Sequence, residues 1–310
     1  MFKKIKDWLG RFFTVGFILI LLVVLVIQIS VFYQLAGLRS STLPNIRGDR
    51  LGVLTLEGGI MDIEQELKIL KQYRESDSVK AVLLEVNSPG GLVGPSQELS
   101  KAVAEIRKAG KPVVTSIRTV GASGAYYVAS SSDTIVANPG SMVGSIGVII
   151  EFMKFKELID KVGVDYRVVK SGRFKDLGSP FRDMKESERE LVRNLIMDVY
   201  DQFLDHILQQ RPRSFTRSEL EKLADGRIFT GRQALSHDLI DVTGTRRKAI
   251  AIAGRAAGLG DDPKTVNFSR KNVSFLQESL RSFFDSFQWM RLDQPSFRLQ
   301  YRMPEVGPGS

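Results

Sequence analysis

The sequence has no cysteine and only two histidines, His206 and His237, among 310 residues. The absence of cysteine excludes disulfides, a redox dithiol and thiolate metal sites. Neither histidine lies in an H-E-x-x-H or similar pair, so no metal site is predicted. Nucleotide-binding glycine motifs are missing too, because SPGGLVG (88–94) lacks the first glycine of G-x-G-x-x-G and G-x-x-x-x-G-K-[ST] does not occur. No cofactor is therefore expected.

A concentrated patch of positive charge is also lacking. The formal net charge is +9, but lysine and arginine are spread along the chain and mixed with aspartate and glutamate. This pattern argues against a nucleic-acid partner.

With 43% apolar and 25% charged residues, the chain has enough hydrophobic material for one large domain, an anchor and a tail.

The N-terminal part has one long hydrophobic run, since residues 12–38 contain no charge. It predicts a transmembrane helix over residues 12–36, because a membrane span needs about 20 apolar residues. A cleaved signal peptide is the alternative, but the run exceeds the usual apolar core of about 7–15 residues and no clear A-x-A site follows. The basic residues of segment 1–11 predict a cytoplasmic N-terminus, with the rest of the chain outside the cytoplasm.

A polar linker, residues 37–49, precedes the main domain, which we expect at residues 50–257, and a tail follows at 258–310. Apolar and β-branched runs predict strands, and 3.6-residue periodicity predicts helices between and after them. The predicted strands are 51–58, 79–87, 111–118 and 133–137, and the predicted helices are 61–73, 96–109, 185–210, 218–224 and 232–236. This alternation predicts an α/β fold with a mainly parallel sheet and flanking helices.

Three turns rich in glycine and serine follow predicted strands: 87–91 (NSPGG), 121–127 (GASGAYY) and 140–148 (GSMVGSIGV). Ligands of open parallel sheets bind at the carboxyl ends of strands, where these turns should lie. Any one of them alone is also explained as an ordinary turn. GASGA approaches the nucleophile elbow G-x-S-x-G, but Ala125 stands where that turn requires glycine.

Ser123 has a physical reason to be reactive, because it opens a helical segment directly after a strand. A helix N-terminus offers unpaired N–H groups and a positive dipole end, which favour a developing oxyanion. The backbones of Gly124 and Gly90 could supply such donors. The alternative is that Ser123 is only a helix N-cap.

A serine nucleophile needs a base. His206 lies in a long predicted helix and His237 in a C-terminal segment, so a lysine whose pKa is lowered by an apolar site is a further candidate. Lys175 lies beside Phe174 among glycine and serine residues. The residues alone do not single it out.

Five sequence blocks carry a family resemblance: LEVNSPGG, GASGAYYVASSSD, PGSMVGSIGV, VKSGRFKDLGSPFRDM and LADGRIFTGRQAL. In order and spacing they resemble signal peptide peptidase A, in the Clp-protease and crotonase-like superfamily. The resemblance covers about residues 50–250, and the single anchor is similar to the short, single-repeat form. Many members have a second glycine at the position of Ala125, so the pocket is expected to be narrower here.

The resemblance implies that Ser123 is the nucleophile and Lys175 the general base. It further implies that Ser145 orients the lysine amine and that Gly90 and Gly124 form the oxyanion hole. The chemistry expected is serine endopeptidase cleavage of hydrophobic peptides, with activity rising toward alkaline pH as the amine loses its proton.

The resemblance also implies a homo-oligomer, a ring or dome, in which the dyad can be completed across protomers. The expected substrates are signal peptide remnants and the expected location is the inner membrane. Alternatives are a related membrane protease acting on a partner membrane protein and a catalytically weak scaffold. The acyl-CoA chemistry of crotonase relatives would not require the Ser123 and Lys175 blocks together. The aromatic residues of the tail allow core packing, membrane or partner contact, or autoinhibitory docking.

Overall fold

The computed structural model describes Leu25 and Gln28, residues 48–212, residues 215–268 and residues 300–302. The predicted basic segment and anchor (residues 1–36) lie outside the described residues, apart from Leu25 and Gln28, which are helical. In the part that is described, no helix is long and apolar enough to cross a membrane. Residues 1–47 and residues 48–310 are two separate units, and the strands that the structure describes belong to the second.

Strands and helices alternate in the first half of this unit. Its elements are β1 (Arg50–Glu57), α1 (Glu64–Glu75), β2 (Val79–Ser88), β3 (Gly90–Leu92), α2 (Val93–Lys108), β4 (Val113–Ala122), α3 (Gly124–Ala129), β5 (Thr134–Ala137) and β6 (Met142–Gly144). The second half is richer in helix. It contains α4 (Lys156–Lys161), α5 (Glu186–Gln210), α6 (Arg217–Leu223), β7 (Ile228–Thr230), α7 (Gly231–Ser236), β8 (Val242–Thr243), α8 (Arg246–Ala256), β9 (Thr265–Val266) and β10 (Gln300–Arg302).

The main sheet has the strand order β7-β6-β4-β2-β1-β9, and β5 pairs with both β4 and β8. Every pair in it is parallel except β6 with β7. The predicted α/β class with a mainly parallel sheet is therefore confirmed. Outside this sheet, β10 lies antiparallel to β3, with Tyr301 opposite Gly91.

Both faces of the sheet are covered, as a parallel sheet requires. Side chains alternate along β1, so that Leu51 and Val53 face one side and Leu54 and Leu56 the other. The first side packs against Ala249 and Ala253 of α8. The second forms the larger core with residues of α1, α2, α3 and α5. Strands β6 to β9 were not predicted from the sequence, because each has only two or three residues. Helix α8 was not predicted either.

Residues 147–185, here called the arm, leave this core. None of these residues, all of which the structure describes, is buried, and their only regular element is the short helix α4. Large apolar side chains are exposed along the arm: Met153, Phe155, Leu158, Val162, Val164, Tyr166, Val168, Val169 and Phe174. The arm therefore presents an apolar surface that the described residues do not cover.

Candidate active site

The three glycine- and serine-rich turns meet at one edge of the sheet. Strands β2, β4 and β6 are neighbours, with Ser88 opposite Gly121 and Ala122 opposite Gly144. Because all three strands are parallel, the segments that follow them emerge side by side. The backbone N–H of Ser123 donates to the carbonyl of Gly144 at 2.7 Å, which joins two of the turns directly.

Ser123 lies in a strained turn between β4 and α3. Its φ is 54° and its ψ is −119°, a combination that costs a non-glycine residue about 1–3 kcal/mol and is found most often at functional sites. The residue is only 1% exposed, and its hydroxyl oxygen has no hydrogen-bond partner in the described part of the chain. A buried hydroxyl without a partner costs stability, so a function for this oxygen is indicated.

Ser123 occupies the N-cap position of α3, but its side chain makes no capping hydrogen bond. The capping interpretation, which would explain the serine by helix stability alone, is therefore not supported. Gly124 is the first residue of the helix, and N–H groups of a first turn have no partner within the helix. Donors thus lie directly beside the free hydroxyl.

Gly90 follows β2 with a φ of 102°, a conformation that favours glycine. Its N–H donates to the Ser88 hydroxyl at 3.1 Å. Ser88 was not singled out from the sequence, although it is part of the NSPGG motif. At Gly91, a Cβ atom would lie 2.1 Å from the carbonyl oxygen of Ile60, so only glycine fits the close approach of these two backbones.

Ser145 follows β6 and is the second serine in the left-handed region, with a φ of 50°. It is 5% exposed, and its N–H donates to the carbonyl of Arg227 at 2.8 Å. A pocket of about 450 Å³ opens beside Ser145. Apolar side chains line most of it, among them Val148, Ile149, Ile196 and Met197.

The histidines are not placed as bases for Ser123. His206 is partly buried, its ring stacks on Tyr127 at 3.9 Å, and its Nε2 lies 3.1 Å from the Ser100 hydroxyl and 3.2 Å from that of Ser131. Burial lowers the pKa of His206 to about 4, so the ring is neutral at pH 7. His237 is exposed at the end of α7.

Lys175 does not meet Ser123 within one chain. It lies in a turn, residues 171–178, and its side chain is exposed, whereas the Ser123 hydroxyl is buried and unpartnered among the described residues. The structure thus brings together Ser123, Gly124, Gly90 and Ser145, but not Lys175.

An ion-pair network beside Lys175 was missed at the level of sequence, because its members are common surface residue types. Arg182 donates to both oxygens of Glu188, at 2.6 and 2.8 Å, and to Asp176 at 2.8 Å. These bonds lower the pKa of Glu188 to about 2, and the pKa of Asp176 also falls well below its usual value, chiefly through Arg182. Both carboxylates are therefore charged at neutral pH. The signal available was the acid- and base-rich block that follows Lys175.

Comparison with known proteins decides the family. The model of peptidase family S49 matches residues 105–260, which include Ser123, Ser145 and Lys175. The chain belongs to this peptidase family. The match begins within α2 and ends after α8, so it covers the strained serine turns and the whole arm.

Three relatives agree with this assignment. A putative protease of Methanocaldococcus jannaschii is 38% identical over 207 residues, 67% of this chain and 65% of the relative. A putative signal peptide peptidase SppA of Enterococcus faecium is 39% identical over 222 residues, 72% of this chain and 64% of the relative. The chloroplastic serine protease SPPA of Arabidopsis thaliana is 32% identical over 226 residues, 72% of this chain and 33% of the relative. The resemblance to signal peptide peptidase A is confirmed, and this S49 chain spans less than two thirds of the length of these relatives.

Proposed function

We propose that this S49 chain is a serine endopeptidase that cleaves hydrophobic peptides, with Ser123 as nucleophile and Lys175 as general base. The observation that carries the proposal is the Ser123 hydroxyl, buried and unpartnered on a strained turn at the start of a helix. Such a costly arrangement is typical of a functional site, where the oxygen reacts with a group that the isolated chain does not contain.

In the proposed reaction, the neutral amine of Lys175 accepts the Ser123 proton while the Ser123 oxygen bonds to the scissile carbonyl carbon. The N–H groups of Gly124 and Gly90 donate to the resulting oxyanion, which requires the Gly90 N–H to leave or share its bond with Ser88. The C–N bond then breaks as the lysine ammonium protonates the leaving amine. Water hydrolyses the acyl-enzyme by the same proton transfers, and Ser145 orients the amine.

The proposed substrate class follows from two features of the site. The pocket beside Ser145 is lined mainly by apolar side chains, which suits apolar residues near the cut. The edge of β3, which carries Gly90, accepts an antiparallel strand in the form of β10. An extended peptide can pair with a strand edge in the same way. We infer that signal peptide remnants are the physiological substrates. Of the three interpretations of the tail, the pairing of β10 with β3 favours docking at the peptide site.

We further propose that a neighbouring copy of the chain supplies Lys175, in a ring or dome. Two observations support this. The Ser123 hydroxyl has no hydrogen-bonded base among the described residues, and these residues leave the apolar arm that carries Lys175 uncovered. Covering such a surface with a second copy would bury apolar area and remove water around the amine.

The proposal also includes a membrane anchor at residues 12–36 that crosses the membrane once, with the peptidase domain outside the cytoplasm. It further includes membership of the Clp-protease and crotonase-like superfamily. They rest on the sequence and on the resemblance. The mainly parallel sheet supports the superfamily assignment.

The test compares Ser123→Ala and Lys175→Ala with two matched controls, Ser130→Ala and Lys161→Ala. Ser130 is a buried serine at the end of α3, and Lys161 is an exposed lysine of the arm. We expect both site variants to lose about a thousandfold or more in turnover of peptides identified by mass spectrometry, while both controls keep theirs.

Two further readouts decide the chemistry. A fluorophosphonate should label Ser123 in the assembled wild type, and the wild-type activity should rise toward alkaline pH. Full turnover by either site variant in a folded preparation would end the dyad assignment. An assembled oligomer whose Ser123 is inert would instead favour the scaffold alternative.

A further inference from the structure

The turn that carries Lys175, residues 171–178, is not held by the hydrophobic core. No residue of the arm, which is described throughout, is buried, and the backbone hydrogen bonds within the turn are short-range, such as that from the Lys175 N–H to the carbonyl of Gly172, at 3.2 Å. Catalysis requires the reacting groups to be placed within a fraction of an ångström, and a misplacement of about 1 Å can cost about a hundredfold in rate. Something other than apolar packing must therefore fix this turn.

Arg182 is the residue in position to do so. On one side, its Nε donates to the Asp176 carboxylate at 2.8 Å and its Nη2 to the Asp176 carbonyl at 3.0 Å. Asp176 directly follows Lys175, so the side chain next to the lysine and the peptide group between Asp176 and Leu177 are both held. Lys170 donates to the other carboxylate oxygen of Asp176, which is only 10% exposed.

On the other side, Arg182 is tied to the body of the domain. Its two terminal nitrogens donate to the two oxygens of Glu188 at 2.6 and 2.8 Å, a bidentate geometry that fixes direction as well as distance. The Glu188 side chain is fully buried and also accepts from the Lys185 N–H at the start of α5. Helix α5 continues into the core through Val199 and Phe203. Arg182 thus links the lysine turn to a helix with a fixed position.

We propose that Arg182 is a positioning residue for the peptidase reaction: it holds the turn that carries Lys175 against the N-terminus of α5. The proposal rests on the proposed function, because it assigns Arg182 a role through Lys175. An isolated ion pair at the surface would contribute little, but here one guanidinium contacts two carboxylates that are almost fully shielded from solvent.

The test uses Arg182→Gln, Arg182→Lys and Asp176→Asn, with Arg217→Gln as matched control. Arg217 likewise contacts more than one carboxylate, those of Asp201, Asp205 and Glu221, but it joins α5 to α6 and is remote in sequence from Lys175. Asp176→Asn leaves the bond between Arg182 and Glu188 intact. It therefore removes the charge that Arg182 and Lys170 contact on the turn, and so weakens the hold on the turn, without leaving Glu188 as an unpaired buried charge. It decides the question if Arg182→Gln does not fold.

In the full-length oligomer we expect Arg182→Gln and Asp176→Asn to lower kcat about ten- to a hundredfold, with KM for an apolar fluorogenic peptide within about twofold. Fluorophosphonate labelling of Ser123 should slow by a similar factor. Arg182→Lys should retain more activity than Arg182→Gln, since an ammonium can hold one of the two carboxylates. Arg217→Gln should match wild type in kcat and in labelling.

The proposal is overturned if Asp176→Asn has the same kcat and the same labelling rate as Arg217→Gln while Lys175→Ala is inactive. A rise in KM at unchanged kcat would likewise overturn it, because the network would then serve peptide binding. If Lys175→Ala itself retained turnover, the proposed function would fail instead, so the two failures are distinguishable.

Discussion

The two halves of the candidate site are held by different forces. The sheet region, residues 48–146, carries Ser123, Gly90 and Ser145 on turns between strands whose side chains are buried on both faces. The arm carries Lys175, has no buried residue, and is tied to the domain by hydrogen bonds and ion pairs. The geometry of Ser123 is therefore fixed within one chain, whereas the placement of Lys175 depends on polar bonds and on what covers the arm.

The sharpest way to break this comparison is to separate the two regions onto different protomers. Ser123→Ala and Lys175→Ala should each be inactive, but assembling them together at equal amounts should restore activity. If each site combines the sheet region of one protomer with the arm of a neighbour, random assembly gives about a quarter of the sites both intact groups. The measurement is peptide turnover after co-expression and purification of the mixed oligomer.

The control replaces Lys175→Ala in this mixture by the double variant Ser123→Ala/Lys175→Ala, which cannot restore any site. Turnover of the mixed oligomer no higher than in this control would show that the dyad is not completed between protomers.

A second comparison tests packing, with one alanine in each region. Gly91→Ala should destabilise the protein by about 2–3 kcal/mol, because the new Cβ would overlap the Ile60 carbonyl oxygen in a rigid part of the sheet region. Gly172→Ala should change stability by less than about 0.5 kcal/mol, since its Cβ would lie 3.8 Å from Lys175 Cγ, an ordinary contact. Urea denaturation measures both, and equal losses would contradict the proposed contrast.

A third test uses pH to probe the packing of α5 against the sheet region, through the contacts of His206 with Ser100 and Ser131. Its pKa is lowered to about 4 by burial, against 6.5 in an unfolded chain, so the unfolded state binds the proton more readily between these values. Above pH 6.5 the histidine does not lower the free energy of unfolding. As the pH falls from 6.5 toward 4, the free energy of unfolding decreases. The whole effect is at most about 3 kcal/mol, and the melting temperature as a function of pH should report it.

The variant for this test is His206→Gln, which should be less stable at pH 7 but should lose less of its remaining stability between pH 6.5 and 4. His237→Gln, at the exposed second histidine, is the control and should behave as wild type. A His206→Gln protein with the same acid dependence as wild type would rule out this origin.

Much of the fold follows from local pattern. The continuous apolar run of β2 and the 3.6-residue periodicity of α2 and α5 identify these elements, because burial of one face or both imposes the period. Strands β6 to β9 have two or three residues each, too few to show a period. They form because neighbouring strands offer unpaired N–H and C=O groups along their edges, which is a property of the assembled sheet.

For the site, the amino-acid sequence by itself determined the residue types, the glycine-rich turns and their order after strands, and these led to Ser123, Gly90 and Gly124. Ser145 and Lys175 came from the family resemblance. Only the tertiary structure decided that three turns meet at adjacent strand ends, that Ser123 is strained and unpartnered, and that Lys175 stays apart on an arm held through Arg182. The physical reason is that local propensities act over a few residues, whereas hydrogen-bond satisfaction and burial depend on contacts between distant segments of the chain.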